Sequence, residues 1–456
     1  MYLCTLKPMC RCLKEICNEL EIWKKSPRRK PLLLRGARQV GKTTVVNEFG
    51  KSYDNYLPFN LERPDHKALL EKELPVDTLV EQLFLFHRQQ RQEGNTLIFI
   101  DEIQNSAKVI SKLRFFYEDR PDLHVIAAGS LLESLVNVDF SFPVGRVDYL
   151  PMRPCSFREF ASAIGKNHLL EMAKVSGMAD VVHNELMTFF NTYLLVGGMP
   201  AAVQAYIEER DLLAFDDVYE TLLQAYRDDA EKYARAGKLS DVVRFVLEHG
   251  WGAAGSTVTL SGFANSDYRS REVGEAFRLM EKAMLLELVY PITNTSAPAM
   301  PETKRQPKLV WLDTGLVNYA ANIRNDIIGA NDIMDVWRGR IAEHVVAQEL
   351  LTLNNIISQR RQFWIKGGGG DSAEVDFIWT IDSRLIPIEV KSGRNSHLRS
   401  IHSFIDLSPT DVAVRVWSGP LSIDEVQTTI KKKKFRLINL PFYLIGDMER
   451  IVRQNM

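Results

Sequence analysis

Pro31-Leu-Leu-Leu-Arg35-Gly36-Ala-Arg-Gln-Val-Gly41-Lys42-Thr43-Thr44-Val-Val-Asn-Glu-Phe49-Gly50 is the stretch whose reading decides the fold. Its apolar start predicts a buried strand. Its end predicts the first turns of a helix, closed by Gly50. Between them stands the pattern Gly-x-x-x-x-Gly-Lys-Thr. A glycine-rich turn running into a helix N-terminus aims several backbone N–H groups at one spot, and that spot attracts anions. Gly36, Gly41 and Thr44 belong to this cradle. Lys42 is placed to reach the outer phosphates of a nucleotide, and the Thr43 hydroxyl to ligate Mg²⁺.

A second run supports the first. Thr96-Leu-Ile-Phe-Ile-Asp101-Glu102 predicts a strand buried on both faces, as in a parallel sheet, with two acids at its carboxyl end. Asp101 is placed to hold Mg²⁺ directly or through water. Glu102 is placed to polarise a water for attack on a phosphate. Further strands are expected at Asn55–Asn60, between the two motifs, and at Leu123–Ala128, before Gly129-Ser130. Strands alternating with helices give a parallel α/β sheet with its ligand at the carboxyl ends.

With these residues in view, the chain resembles the additional-strand glutamate class of P-loop ATPases, to which AAA-type enzymes belong. The resemblance implies ATP with Mg²⁺. It also puts Ser130 where that class has a polar sensor of the γ-phosphate; capping a helix at Leu131-Leu-Glu133 is the competing reading. Arg146 stands where an arginine finger follows the last core strand, against the reading of an ordinary surface arginine. Such fingers usually come from a neighbouring subunit, so a homo-oligomer is the matching expectation.

Bulk composition sets bounds. The chain has 456 residues, 45% hydrophobic and 25% charged, with a net charge of −1. That length calls for about two to four domains. The near-zero charge announces no nucleic acid globally and leaves room for a local basic surface. No run reaches the roughly 18 apolar residues of a membrane span, and the start lacks the apolar core of a secretory signal. A cytoplasmic location without membrane contact is the expectation. Cys4, Cys10, Cys12 and Cys17 crowd the start, without a C-x-x-C pair or nearby histidine. They read as small apolar residues rather than a zinc site.

Past Leu150-Pro-Met-Arg-Pro154 the pattern turns helical. Ser156 followed by Glu159 makes a capping box. A helix over Asp180–Val196 stops at Gly197-Gly198, and Met199-Pro200 opens another. This suits a helical lid over the nucleotide. Residues 241–312 read as helix, helix, helix and hairpin, the outline of a winged helix-turn-helix. Its third helix carries Arg269, Arg271 and Arg278, fit for DNA contact, diluted by Glu272, Glu275 and Glu281.

Near the C-terminus, Ala373–Ile381 predicts a strand, Asp382-Ser383-Arg384 a tight turn, and Leu385-Ile-Pro-Ile-Glu389-Val-Lys391 the return strand. Alternation points Glu389 and Lys391 to one face. With Asp376 across from them and Glu343 on a helix, the set suits Mg²⁺ or Mn²⁺ bound by hard carboxylate oxygens. Lys391 would then orient or deprotonate a water attacking a phosphodiester. A surface ion pair and a folded but non-cleaving site are the alternatives. Gly367–Gly370 reads as a mobile loop. Lys431–Lys434 reads as a solvated basic run within reach of a phosphate backbone.

Nearly the whole chain resembles prokaryotic AAA-type ATPases carrying a C-terminal restriction-endonuclease-like PD-(D/E)xK domain. The motifs that carry this are Leu33–Thr43, Ile100–Gln104, Ser156–Phe160, Val196–Pro200, Leu312–Leu316, Glu374-Val-Asp376 and Pro387–Gly393. The expected organisation is an α/β protein: ATPase core 1–150, helical lid 151–238, winged helix 239–312, nuclease-like domain 313–456. The expected activity is ATP hydrolysis coupled to metal-dependent action on DNA. The alternative is a nucleotide-dependent switch that binds DNA or a protein partner and cuts nothing.

Overall fold

The structure is a computed structural model, describing residues 13–90, 94–130, 143, 145–173, 180–212, 214–234, 237–324, 339–353, 356, 360–367, 373–391 and 398–456. Cys4, Cys10, Cys12, the helix proposed at Leu131–Glu133, Gly368–Gly370 and Ser392-Gly393 lie outside them. The chain divides into two compact units. One comprises 1–153 with 282–284 and 355–357; the other comprises 154–281, 285–354 and 358–456. Among the described residues, no helix is long and apolar enough to cross a membrane.

The first unit holds β1 (Leu32–Arg35), β2 (Asn55–Asn60), β3 (Thr96–Asp101), β4 (His124–Gly129) and β5 (Asp148–Pro151). They form one parallel sheet in the order β2-β3-β4-β1-β5. β3 and β4 are buried along their whole length. Such strands must be largely apolar, and both are, except at Thr96, the terminal Asp101 and His124. Leu33, Ile98, Ile100 and Val125 pack with Leu79, Leu83, Ile110 and Leu113 of the helices Val76–Phe86 and Ala107–Asp119. The strand inserted in sequence between the two motifs, β2, lies at the sheet edge. The strand that separates them in space is β4, between β1 and β3.

The second unit joins helices to a larger sheet. The helix Phe157–Ala163 starts at the capping box of Ser156 and Glu159. Asp180–Val196 and Pro200–Glu209 follow, broken by Gly197-Gly198. The sheet has eight strands in the order β12-β13-β11-β10-β9-β8-β6-β7. They are β6 (Leu286–Ile292), β7 (Lys308–Trp311), β8 (Gln362–Ile365), β9 (Glu374–Ile381), β10 (Arg384–Val390), β11 (Val412–Trp417), β12 (Ser422–Gln427) and β13 (Lys434–Pro441). The helices expected as a lid thus share one compact unit with this sheet.

The winged-helix outline is only partly recovered. Lys238–His249 and Ser270–Lys282 are helices, but the middle element is a single 3₁₀ turn, Phe263–Asn265, with Ala264 at φ 51. β6 and β7 pair antiparallel as a hairpin. β6 also pairs in parallel with β8, Tyr290 beside Gln362, so the hairpin is the margin of the large sheet rather than a free wing. The β9–β10 turn contains Asp382 and Ser383, both at positive φ, between the paired Ile381 and Arg384. Two such residues give a turn whose twist matches that of the strands it joins.

Candidate functional sites

The nucleotide-type loop sits at the carboxyl end of β1. Its two glycines are needed for different reasons. A Cβ on Gly36 would stand 2.4 Å from the Met152 carbonyl oxygen. Gly41 adopts φ 92 as the cap of the helix Lys42–Gly50. Lys42 is buried, and its ammonium donates to the Gly36 and Ala37 carbonyls at 2.9 and 2.7 Å. Burial pulls this ammonium down to about 8, against Glu102 and Asp101, which push it up.

The two motifs meet directly. The Thr43 hydroxyl donates to Asp101 Oδ2 at 2.6 Å, and the Glu102 N–H donates to Asp101 Oδ1 at 3.0 Å. Burial raises the Asp101 carboxyl above its ordinary range, and the Thr43 hydrogen bond opposes the rise. Hydroxyl and carboxylate side by side suit a hard cation such as Mg²⁺. Glu102 has left-handed backbone, φ 53, which turns the chain sharply as it leaves β3. Backbone of that kind in a non-glycine residue is sparsely populated and concentrates at functional sites.

Gln104 closes the Ile100–Gln104 motif, but the sequence alone assigns it no role. Its amide donates to Glu102 Oε2, and its Oε1 would lie 2.5 Å from a Cβ on Gly129. It therefore links Glu102 to the end of β4, next to the buried Ser130. The signal was present as the third residue after Asp101 in Asp-Glu-Ile-Gln. Arg146 is exposed and pairs with Glu118 at 2.8 Å, a surface contact within the chain.

A second cluster lies in the other unit. The β9–β10 register pairs Ile388 with Phe377, and one residue further it sets Glu389 opposite Asp376, on the same face. The Val390 N–H donates to Asp376 Oδ2 at 2.8 Å, and Lys391 Nζ lies 3.2 Å from Glu389 Oε1. Glu389 Oε2 is buried without a hydrogen-bond partner. Burial and then Asp376 push the Glu389 carboxyl up to about 8, against Lys391. Burial and Asp376 likewise push Glu343 up to about 7, against Lys308.

Lys308 falls within the hairpin expected in residues 241–312, where nothing local marks it as part of a charged cluster. Its Nζ lies 3.0 Å from Glu343 Oε2, 2.7 Å from Glu374 Oε1 and 3.7 Å from Asp376 Oδ1. Burial would lower this ammonium, but Glu343, Asp376 and Glu374 reverse the effect and hold it above its ordinary value. The carboxylates have the right chemistry for Mg²⁺ or Mn²⁺, yet a lysine stands among them. Among the described residues, no group of three or more His, Cys, Asp or Glu is arranged to hold a metal ion. As folded, the set does not fit a metal.

Of the basic features, Arg269, Arg271 and Arg278 are exposed on the helix Ser270–Lys282 and its approach. Lys433 is not free for a phosphate: it donates to the carbonyls of Ile405, Ser408 and Thr410, closing the end of the helix Arg399–Leu407.

Residues 28–161 match the family model described as an AAA domain. Together with the loop and the parallel sheet, this makes the stretch an AAA-type P-loop ATPase core. Residues 187–327 and 338–443 match two domains of unknown function, DUF8612 and DUF4143. No curated protein matches the chain. Among solved structures, the Orc1 protein of Aeropyrum pernix in complex with DNA aligns at 11% identity over 70% of this chain and 93% of its own, with TM-score 0.26. The RuvB Holliday junction branch migration motor of Thermotoga maritima aligns at 17% over 61% and 88%, TM-score 0.27. PCH-2 of C. elegans aligns at 13% over 47% and 68%, TM-score 0.26. Overlap this slight carries no argument, and the class rests on the family model, the sheet and the loop.

Proposed function

We propose that the chain binds ATP at Gly36–Thr44, hydrolyses it with Glu102, and uses the cycle to control a nuclease-like domain that engages DNA. The observation that carries the ATP reading is the alignment of Thr43, Asp101 and Glu102 at the carboxyl end of β3. Thr43 and Asp101 would hold Mg²⁺, which supplies neutralisation of phosphate charge. Lys42 turns its ammonium to the outer phosphates. Glu102 polarises the attacking water, held in place by Gln104. Ser130 is the polar group at the γ-phosphate, and Arg146 acts across a subunit boundary in a homo-oligomer. The exposed Arg269, Arg271 and Arg278 supply DNA contact.

Calorimetric titration of the full chain with ATP and Mg²⁺ tests the reading. Lys42→Ala should abolish measurable affinity, and an unchanged affinity would sink the assignment. For the C-terminal domain, the position of Lys308 favours the non-cleaving alternative: a nuclease-like fold that binds DNA under nucleotide control.

A further inference from the structure

We propose that Lys308 is the resident cation of the C-terminal carboxylate cluster, and that a divalent metal binds there only after its ammonium is displaced. The inference rests on the nuclease-like reading of the cluster for the kind of ion its carboxylates would otherwise take.

Geometry carries it. Three carboxylates converge on Lys308 Nζ, at 2.7, 3.0 and 3.7 Å. Oxygens that surround one point in this way are the arrangement a hard cation needs, at a closer approach of about 2.0–2.6 Å. A metal at that point would overlap the nitrogen, so the two cations exclude each other. The rings of Phe363 and Phe377 lie 5.0 and 5.8 Å from the same nitrogen. The lysine side chain is 5% exposed.

Two further observations fit. Glu389 Oε2, across from Asp376, is buried with no partner, so the cluster has an oxygen that Lys308 leaves unsatisfied. Buried polar atoms of that kind are rare and call for an explanation. The backbone of Lys308 is also fixed from both sides. It pairs with Val289 of β6, and it bridges to Thr257 on the other edge. The ammonium therefore cannot leave by a swing of the backbone unless the β7 margin of the sheet opens.

Manganese binding to the full chain without nucleotide, read by electron paramagnetic resonance, tests this. The native chain should show no Mn²⁺ site that Asp376→Asn removes. Lys308→Met, which keeps a flexible apolar stem one atom shorter and removes the charge, should gain such a site, tighter than any in the native chain by on the order of 100-fold. Adding Asp376→Asn should abolish it. Lys308→Met leaves carboxylates without their cation, so Lys308→Met with Glu374→Gln serves as a second variant with less charge to compensate. It should still gain a site that Asp376→Asn removes, weaker than that of Lys308→Met because one of the three oxygens is gone. A native Mn²⁺ site lost on Asp376→Asn would overturn the role of Lys308 and leave the metal-site reading intact. A folded variant that gains no site would overturn the metal-site reading, and the proposal with it.

Discussion

The Asp313 carboxylate accepts the Gly198 backbone N–H at 2.6 Å, joining two sequence motifs 115 residues apart. Asp313 caps the helix Thr314–Ala320 by accepting the Leu316 N–H at 2.9 Å, and it takes a longer bond from Gln348 at 3.4 Å. The Tyr219 hydroxyl lies 3.1 Å away. Burial raises this carboxyl above its ordinary range, against donors that favour the ionised form. Gln348 also donates to Tyr193, whose hydroxyl reaches Glu349, and Glu349 accepts the Phe157 N–H. Val196–Pro200, Ser156–Phe160 and Leu312–Leu316 are thus parts of one buried network in the second unit.

Replacing Asp313 by Asn turns an acceptor into a group that faces donors with donors. The second unit should lose about 2–3 kcal/mol, the scale of a charged buried hydrogen bond left unmade. Urea unfolding of the variant against the native chain measures the loss, and an unchanged midpoint contradicts it.

Gly197→Ala should cost about as much through shape alone. Gly197 has φ 72, and its Cβ would stand 2.3 Å from Asp313 Oδ1 and 2.9 Å from the Gly315 Cα. Left-handed strain and the clash together predict a loss of about 3 kcal/mol. Thermal melting reads this directly.

Glu102→Gln should keep ATP affinity and lower turnover by about 10²-fold or more, the usual share of a positioned base. Single-turnover hydrolysis, with binding followed separately, distinguishes the two. Hydrolysis at the native rate removes Glu102 from the chemistry.

Lys42 titrates near 8 because it is buried. Phosphates beside it favour the charged form, so ATP binding at about pH 9 should take up most of one proton, fading toward pH 7. Calorimetry in two buffers of different ionisation heat measures the uptake. Lys42→Arg should remove it, because a guanidinium stays charged throughout.

His344 is wholly buried and neutral. Its Nε2 accepts the Trp311 N–H at 3.0 Å, so Nδ1 carries the proton toward Thr314 Oγ1 at 2.9 Å. Burial and then Arg361 push it down to about 3 from the ordinary 6.5. The unfolded chain gains a proton below 6.5 that the folded chain refuses. The stability is present above 6.5 and is lost as pH falls toward 3, by at most about 1.4 kcal/mol per pH unit. His344→Gln should flatten that slope in acid unfolding experiments.

The phosphate-type loop and the two-residue turn of β9–β10 were legible in the sequence because each is local. Glycines, a Lys-Thr pair and an alternating strand announce themselves within about ten residues. Asp376 and Glu389 followed from alternation across a single turn. Lys308 did not: its carboxylates come from a helix and a strand far along the chain, and a lysine at the start of a hairpin strand carries no local mark of them. The winged-helix outline captured the β6–β7 hairpin but not its place in the large sheet, because the pairing of β6 with β8 is non-local. Gln104 was visible but carried no meaning until the end of β4 was brought beside it.

The double pairing of β6, to β7 on one side and β8 on the other, governs where this polypeptide can be divided. A fragment ending at 312 keeps β6 and β7 and loses β8, baring a strand edge that was built to be covered. Bare edges of this kind recruit other chains. A protease cut or gene split at the 153/154 boundary leaves every rung of both sheets intact, although 282–284 and 355–357, which group with the first unit, stay on the second piece.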